Sequence, residues 1–86
     1  MNERYALFQD IDTDEYHIFK VSKVLDGKYV YNKKSICKRT DYYNVEKSSD
    51  ALDEDDMCLY CASQDTNVRH MICDDCVKTF YKTEQV

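Results

Sequence analysis

Two Cys-x-x-Cys pairs, Cys58/Cys61 and Cys73/Cys76, stand eleven residues apart in a chain of only 86 residues. That pattern limits what the chain can become. A chain this short buries too little apolar surface to be stable without help, and four thiols in two close pairs are a means of supplying it. A two-residue gap lets both sulfurs of a pair reach one ion from a tight turn, so Cys58, Cys61, Cys73 and Cys76 are the candidate ligands of a tetrahedral Zn²⁺. An iron–sulfur cluster and a redox dithiol are the other uses of such spacing. A disulfide framework fits poorly, because the cysteine count is five and the first residues, Met-Asn-Glu-Arg-Tyr, lack the apolar run of a secretory signal. A cytoplasmic protein is expected. No apolar run approaches the ~20 residues that cross a bilayer. The fifth cysteine, Cys37, reads as a small buried core residue. His70, three positions before Cys73, is a substitute ligand or a surface histidine.

Charge divides the chain into three. Residues 1–47 hold nine Lys/Arg and eight Asp/Glu, residues 48–57 hold five acids and no base, and residues 58–86 hold three bases and four acids. The net charge of −5 is therefore concentrated in the middle stretch, which reads as an acidic linker or an acidic docking peptide. The expected organisation is a β segment over 1–47, a linker over 48–57 and a zinc finger over 58–86.

The β segment is legible from local chemistry. Arg4 to Gln9 is aromatic-rich, Asp10 to Asp14 has turn character, and Glu15 to Leu25 favours a pleated surface. Asp26-Gly27, with the only glycine, predicts a two-residue hairpin turn. Lys28 to Asn32 returns as the partner, with Val24 opposite Tyr29 and Ser22 opposite Tyr31. Val21, Leu25 and Val30 fall on the other face, and a bulge would reconcile the pattern. The fold class expected is α+β: a small antiparallel meander, SH3-like in outline, followed by a finger ending in a helix. Residues 35–45 fit a fourth strand or a short helix equally. After Cys76, Val77, Phe80 and Tyr81 recur at helical spacing, and Asp74, Asp75 and Lys82 suit a helix dipole running from the second cysteine pair.

The residues from 57 to 82 resemble the N-terminal zinc finger of the ClpX-type AAA+ unfoldases. The likeness rests on Cys58-Leu59-Tyr60-Cys61 with Ser63-Gln64, on Val68-Arg69, and on Ile72-Cys73-Asp74-Asp75-Cys76-Val77. It departs from that family at Ala62, where the family usually has glycine, in a shorter inter-pair hairpin, and in lacking any phosphate-binding Gly-rich loop. The resemblance implies a treble-clef finger with Cys58, Cys61, Cys73 and Cys76 on zinc, and with it homodimerisation and the capture of adaptors or substrates.

Function follows from this inventory. Four cysteines close a metal site and leave no position for a reactive water, so an enzyme is not expected. A zinc-binding protein–protein interaction module is expected, acting as an adaptor, inhibitor or regulator, with Phe80 and Tyr81 partly free for a partner. The Asn-, Lys- and Tyr-rich composition suits an AT-rich bacterial or bacteriophage genome. The alternative is a nucleic-acid-binding or transcription-regulating zinc finger, using Lys33, Lys34, Lys38 and Arg39 with Tyr29, Tyr31, Tyr42 and Tyr43. The acidic net charge opposes that alternative.

Overall fold

In the computed structural model, residues 3–47, 51–62 and 71–84 are described. Strand β1 (Arg4–Asp10) pairs antiparallel with β2 (Tyr16–Leu25), and β2 with β3 (Lys28–Tyr31). The other edge of β1 takes two short strands, β4 (Val45–Glu46) at its end and β5 (Leu52–Asp53) at its start. Helix α1 (Glu54–Ala62) follows β5 directly, and helix α2 (Asp74–Glu84) ends the described chain. The result is an α+β fold built on a curled antiparallel sheet. No helix among the described residues is long and apolar enough to cross a membrane.

Strand β1 is central and covered on both faces, so Tyr5 to Phe8 are buried in an unbroken run instead of alternating with solvent. Tyr5 and Leu7 join Ile18 on one face, against Met57, Cys61, Ile72, Val77 and Phe80 of the helical part. Ala6 and Phe8 join Phe19 and Val45 on the other, against Tyr31 and Tyr42. The expected hairpin is present. Asp26 (φ 53°) and Gly27 (φ 75°) both take the left-handed conformation, as a type I′ turn requires. Val24 lies opposite Tyr29 as expected. A bulge at Ser22 then shifts Tyr31 opposite Val21, and the Ser22 hydroxyl donates to the Val30 carbonyl at 3.0 Å.

One reading of the sequence is sharpened and another revised. Residues 35–45 make a turn and then hold both alternatives in brief, one 3₁₀ turn at Tyr42–Asn44 and the start of β4 at Val45. The acidic stretch 48–57 contains β5 and the first turn of α1, and within it Met57 is fully buried. The acids Glu54, Asp55 and Asp56 occupy the first turn of α1, where they complement the helix dipole instead of solvating a connector. Residues 48–50 lie outside the described part. The β segment and the cysteine-rich part share one core face, so over the described residues they do not stand as separate units.

The β1–β2 loop is organised by Asp10, which is 6% exposed. Its carboxylate accepts from the Asp12 and Thr13 amides, from the Asn44 side chain and from the Thr40 hydroxyl. These donors, Thr40 foremost, hold its pKa below the ordinary value against the opposing effect of burial. A depressed folded pKa gives stability that is complete above the unfolded value and declines as pH falls through the folded one. Asp10→Ala is expected to cost about 2 kcal/mol at neutral pH. The wild type should lose the same contribution only below pH ~4. Urea midpoints measured for both proteins from pH 7 to pH 3 check this: the two curves should converge toward acid.

Candidate metal centre

Beyond Lys20, β2 pairs with β3, but over Tyr16–Lys20 that edge has no strand beside it. Its backbone groups find other partners. The Cys73 amide donates to the Tyr16 carbonyl at 2.8 Å, the Ile36 amide to the Ile18 carbonyl at 2.8 Å, and the Asn32 amide to the Lys20 carbonyl at 2.9 Å. The Ile18 amide donates to Cys76 Sγ at 3.3 Å. Two distant segments, the turn after β3 and the start of α2, are thereby fastened to one strand edge.

The fastening brings four donor groups together. One ligand atom each from His17, Cys37, Cys73 and Cys76 lies within 4.8 Å of the others. Cys73 Sγ is 3.9 Å from Cys37 Sγ, and His17 Nδ1 is 3.5 Å from Cys37 Sγ and 3.6 Å from Cys76 Sγ. Tetrahedral zinc, with bonds of about 2.3 Å to sulfur and 2.0 Å to nitrogen, has edges of about 3.8 Å between sulfurs and 3.5 Å between sulfur and nitrogen. The three distances fit that figure, so the residues fit a tetrahedral ion.

Each ligand is positioned by local structure. Cys73 precedes α2 as its N-cap, and its sulfur accepts from the Asp75 and Cys76 amides. Cys37 sits in a turn closed by the Lys38 amide on the Ser35 carbonyl and by Lys38 in the left-handed conformation (φ 65°). The Ser35 hydroxyl lies 3.1 Å from Cys37 Sγ. Arg39 then pairs with Asp75 at 2.7 Å, tying that turn to the start of α2. His17 presents Nδ1 to the sulfurs and has Glu15 Oε1 3.4 Å from Nε2. A carboxylate on the far nitrogen fixes the tautomer that leaves Nδ1 free to bind a metal.

The electrostatics select a cation. Burial lowers the His17 pKa, outweighing the pull of Glu15 and Asp10, so the ring is neutral near pH 7. Burial raises the Cys73 and Cys76 thiols, and the neighbouring Cys37 adds to it. Amide donors to both sulfurs oppose the rise and are outweighed. Three adjacent sulfurs do not ionise together unless a cation sits among them, and a divalent ion does that. Three thiolates and one imidazole form a closed structural set for zinc, without a position for water.

The sequence had singled out a partly different set. Cys73 and Cys76 enter the cluster, but Cys58 and Cys61 do not belong to it. They ride on α1, a helix in place of the expected knuckle, with Cys61 buried and Cys58 half-buried against the core face that also holds Cys73 and Cys76. Cys37, read from the sequence as a buried core residue, is half-buried and joins the cluster, as does His17, to which the sequence reading gave no part in the site. His70 and the hairpin between the pairs lie outside the described residues. Phe80 is fully buried, edge-on to Tyr5 with centroids 5.1 Å apart, and so is unavailable to a partner. Tyr81 is half-buried beside it.

The basic–aromatic patch is also altered by the fold. Lys33 is exposed, but Lys34 pairs with Asp41 at 3.3 Å and Arg39 with Asp75. Tyr31 and Tyr42 stack on each other and pack against the core face of Phe8 and Phe19. Tyr43 alone of that group is wide open, at 82% exposure. The chain matches no family model, no curated protein and no solved structure.

Proposed function

We propose that this chain is a small zinc-stapled protein–protein interaction module with no catalysis of its own, serving as an adaptor, inhibitor or regulatory subunit in a reducing compartment such as the cytoplasm. The observation that carries the reading is the convergence of one imidazole and three thiols, from three separated segments, to within 4.8 Å of one another. Such a centre holds β2, the Cys37 turn and α2 together, and its closed ligand set supports a structural role. Of the ClpX-type resemblance, the part this centre keeps is the run Ile72 to Val77 at the start of α2, and fingers of that kind bind other proteins.

Metal analysis of protein purified without added metal is the test. One zinc per chain is expected. Removal of that zinc by a strong chelator should abolish much of the helical circular dichroism, since α2 begins at two of the ligands. Protein that is metal-free as isolated, folds fully and binds no zinc at micromolar concentration would end the reading.

A further inference from the structure

The β2–β3 hairpin carries a surface that the metal centre does not use. Pairing with β1 stops at Lys20, so from Val21 onward β2 and β3 project as a two-stranded arm. A two-stranded hairpin on its own is barely stable in water and normally keeps few apolar side chains exposed. This arm exposes Val24 at 60%, Leu25 at 55% and Tyr29 at 42%. Val24 and Tyr29 are a cross-strand pair and so share a face.

That face borders a groove of about 330 Å³ at the root of the arm. Val21, Val24 and Tyr29 supply its apolar lining, and Arg4, Lys20 and Lys23 its cations. The Arg4 guanidinium lies 5.7 Å from the centre of the Tyr29 ring, which orients the charge beside the apolar floor. Lys20 is paired with Glu3 at 2.9 Å. Lys23 and Lys28 have no ion pair among the described residues. Around the arm and groove, Arg4, Lys20, Lys23 and Lys28 outnumber the acids Glu3 and Asp26, on a chain whose net charge is −5.

We propose that this arm is the docking site for an acidic peptide segment of a partner protein, one that places an aliphatic or aromatic side chain against Val24 and Tyr29 and carboxylates on Arg4 and Lys23. Charge complementarity selects that occupant. A second copy seated on the same face would set this basic cluster against itself around Val24 and Tyr29, and like charges disfavour it. A polyphosphate chain could meet the cations but has no apolar group to place against the exposed Val24, Leu25 and Tyr29. The proposal rests on the interaction-module reading and names the face that would serve it.

The test uses the full zinc-loaded chain and a fluorescein-labelled peptide alternating Asp/Glu with Leu and Phe, followed by anisotropy. Three probes are compared: this peptide, the same peptide with Lys in place of its acids, and a single-stranded oligothymidylate. The acidic peptide is expected to bind most tightly, and to weaken several-fold between about 50 and 300 mM salt. Lys23→Glu and Val24→Asp, at exposed positions that leave zinc content and circular dichroism unchanged, should each weaken it about tenfold. Equal binding of the acidic and basic peptides, unchanged affinity in both variants, or tighter binding of the oligonucleotide would overturn the proposal. A purified protein partner bound equally by wild type and a Lys23→Glu/Val24→Asp double variant would also overturn it, while leaving the interaction-module reading intact. Absence of zinc would instead remove that reading.

Discussion

Cys37→Ser is expected to lower zinc affinity by about a thousandfold or more, because it removes one of three thiolates from a closed four-ligand site. Serine keeps the size of the side chain but binds zinc far more weakly than a thiolate. Its hydroxyl would still meet Ser35, so the turn itself has no reason to collapse. The loss should therefore appear in the metal titration first, and in the circular dichroism of α2 as a consequence. Cys58→Ser provides the contrast. Cys58 is half-buried on α1 and outside the ligand cluster, so that variant should still carry one zinc per chain. Cys61→Ser should also retain zinc, at a stability cost of about 1–2 kcal/mol for placing a hydroxyl in an apolar site. Glu15→Gln should weaken zinc binding by roughly tenfold, since Glu15 orients His17 without touching the ion. The opposite pattern, with zinc kept by Cys37→Ser and lost from Cys58→Ser and Cys61→Ser, would return the site to the two cysteine pairs.

The contrast between Cys37 and Cys58 shows what the sequence can and cannot disclose. Hairpin, strands and α2 were legible because their rules are local: Asp26-Gly27 sets its own turn, and Val77, Phe80 and Tyr81 repeat within one helix. Cys73 and Cys76 were legible for the same reason, being three residues apart at a helix start. His17 and Cys37 reach the site only because the free edge of β2 gathers segments far apart in sequence, and no short-range spacing records that. The spacing of Cys58 and Cys61 fits either a metal knuckle or one face of a helix. Three consecutive acids, Glu54 to Asp56, stand just before them and favour the helix. A further signal was present at His17, where Glu15 lies on the same side of the strand. It became readable only once the sheet placed sulfurs on the other side of the ring.

Phe80→Ala should be the most damaging change away from the metal ligands. Phe80 is fully buried, meets Tyr5 edge-on at 5.1 Å and Tyr81 at 5.6 Å, and belongs to the core face where α2 meets β1 and β2. Truncating such a ring removes its transfer energy and leaves a cavity, at a cost of about 3–5 kcal/mol. A domain of this size has only about 5 kcal/mol or somewhat more in total. The variant should therefore be only marginally stable at 37 °C, with a sharply lowered melting temperature. Tyr81→Ala, at a half-buried position, should cost about 1–2 kcal/mol. Because Cys73 and Cys76 open the same helix, metal binding and Phe80 packing stabilise one unit and are thermodynamically linked. Excess zinc at a hundred times its dissociation constant should restore about 2.7 kcal/mol to Phe80→Ala. Thermal unfolding with and without zinc checks both effects together. A melting temperature unchanged in Phe80→Ala would mean that α2 is not docked on the sheet. A loss that zinc does nothing to reverse would mean that the metal does not act on α2.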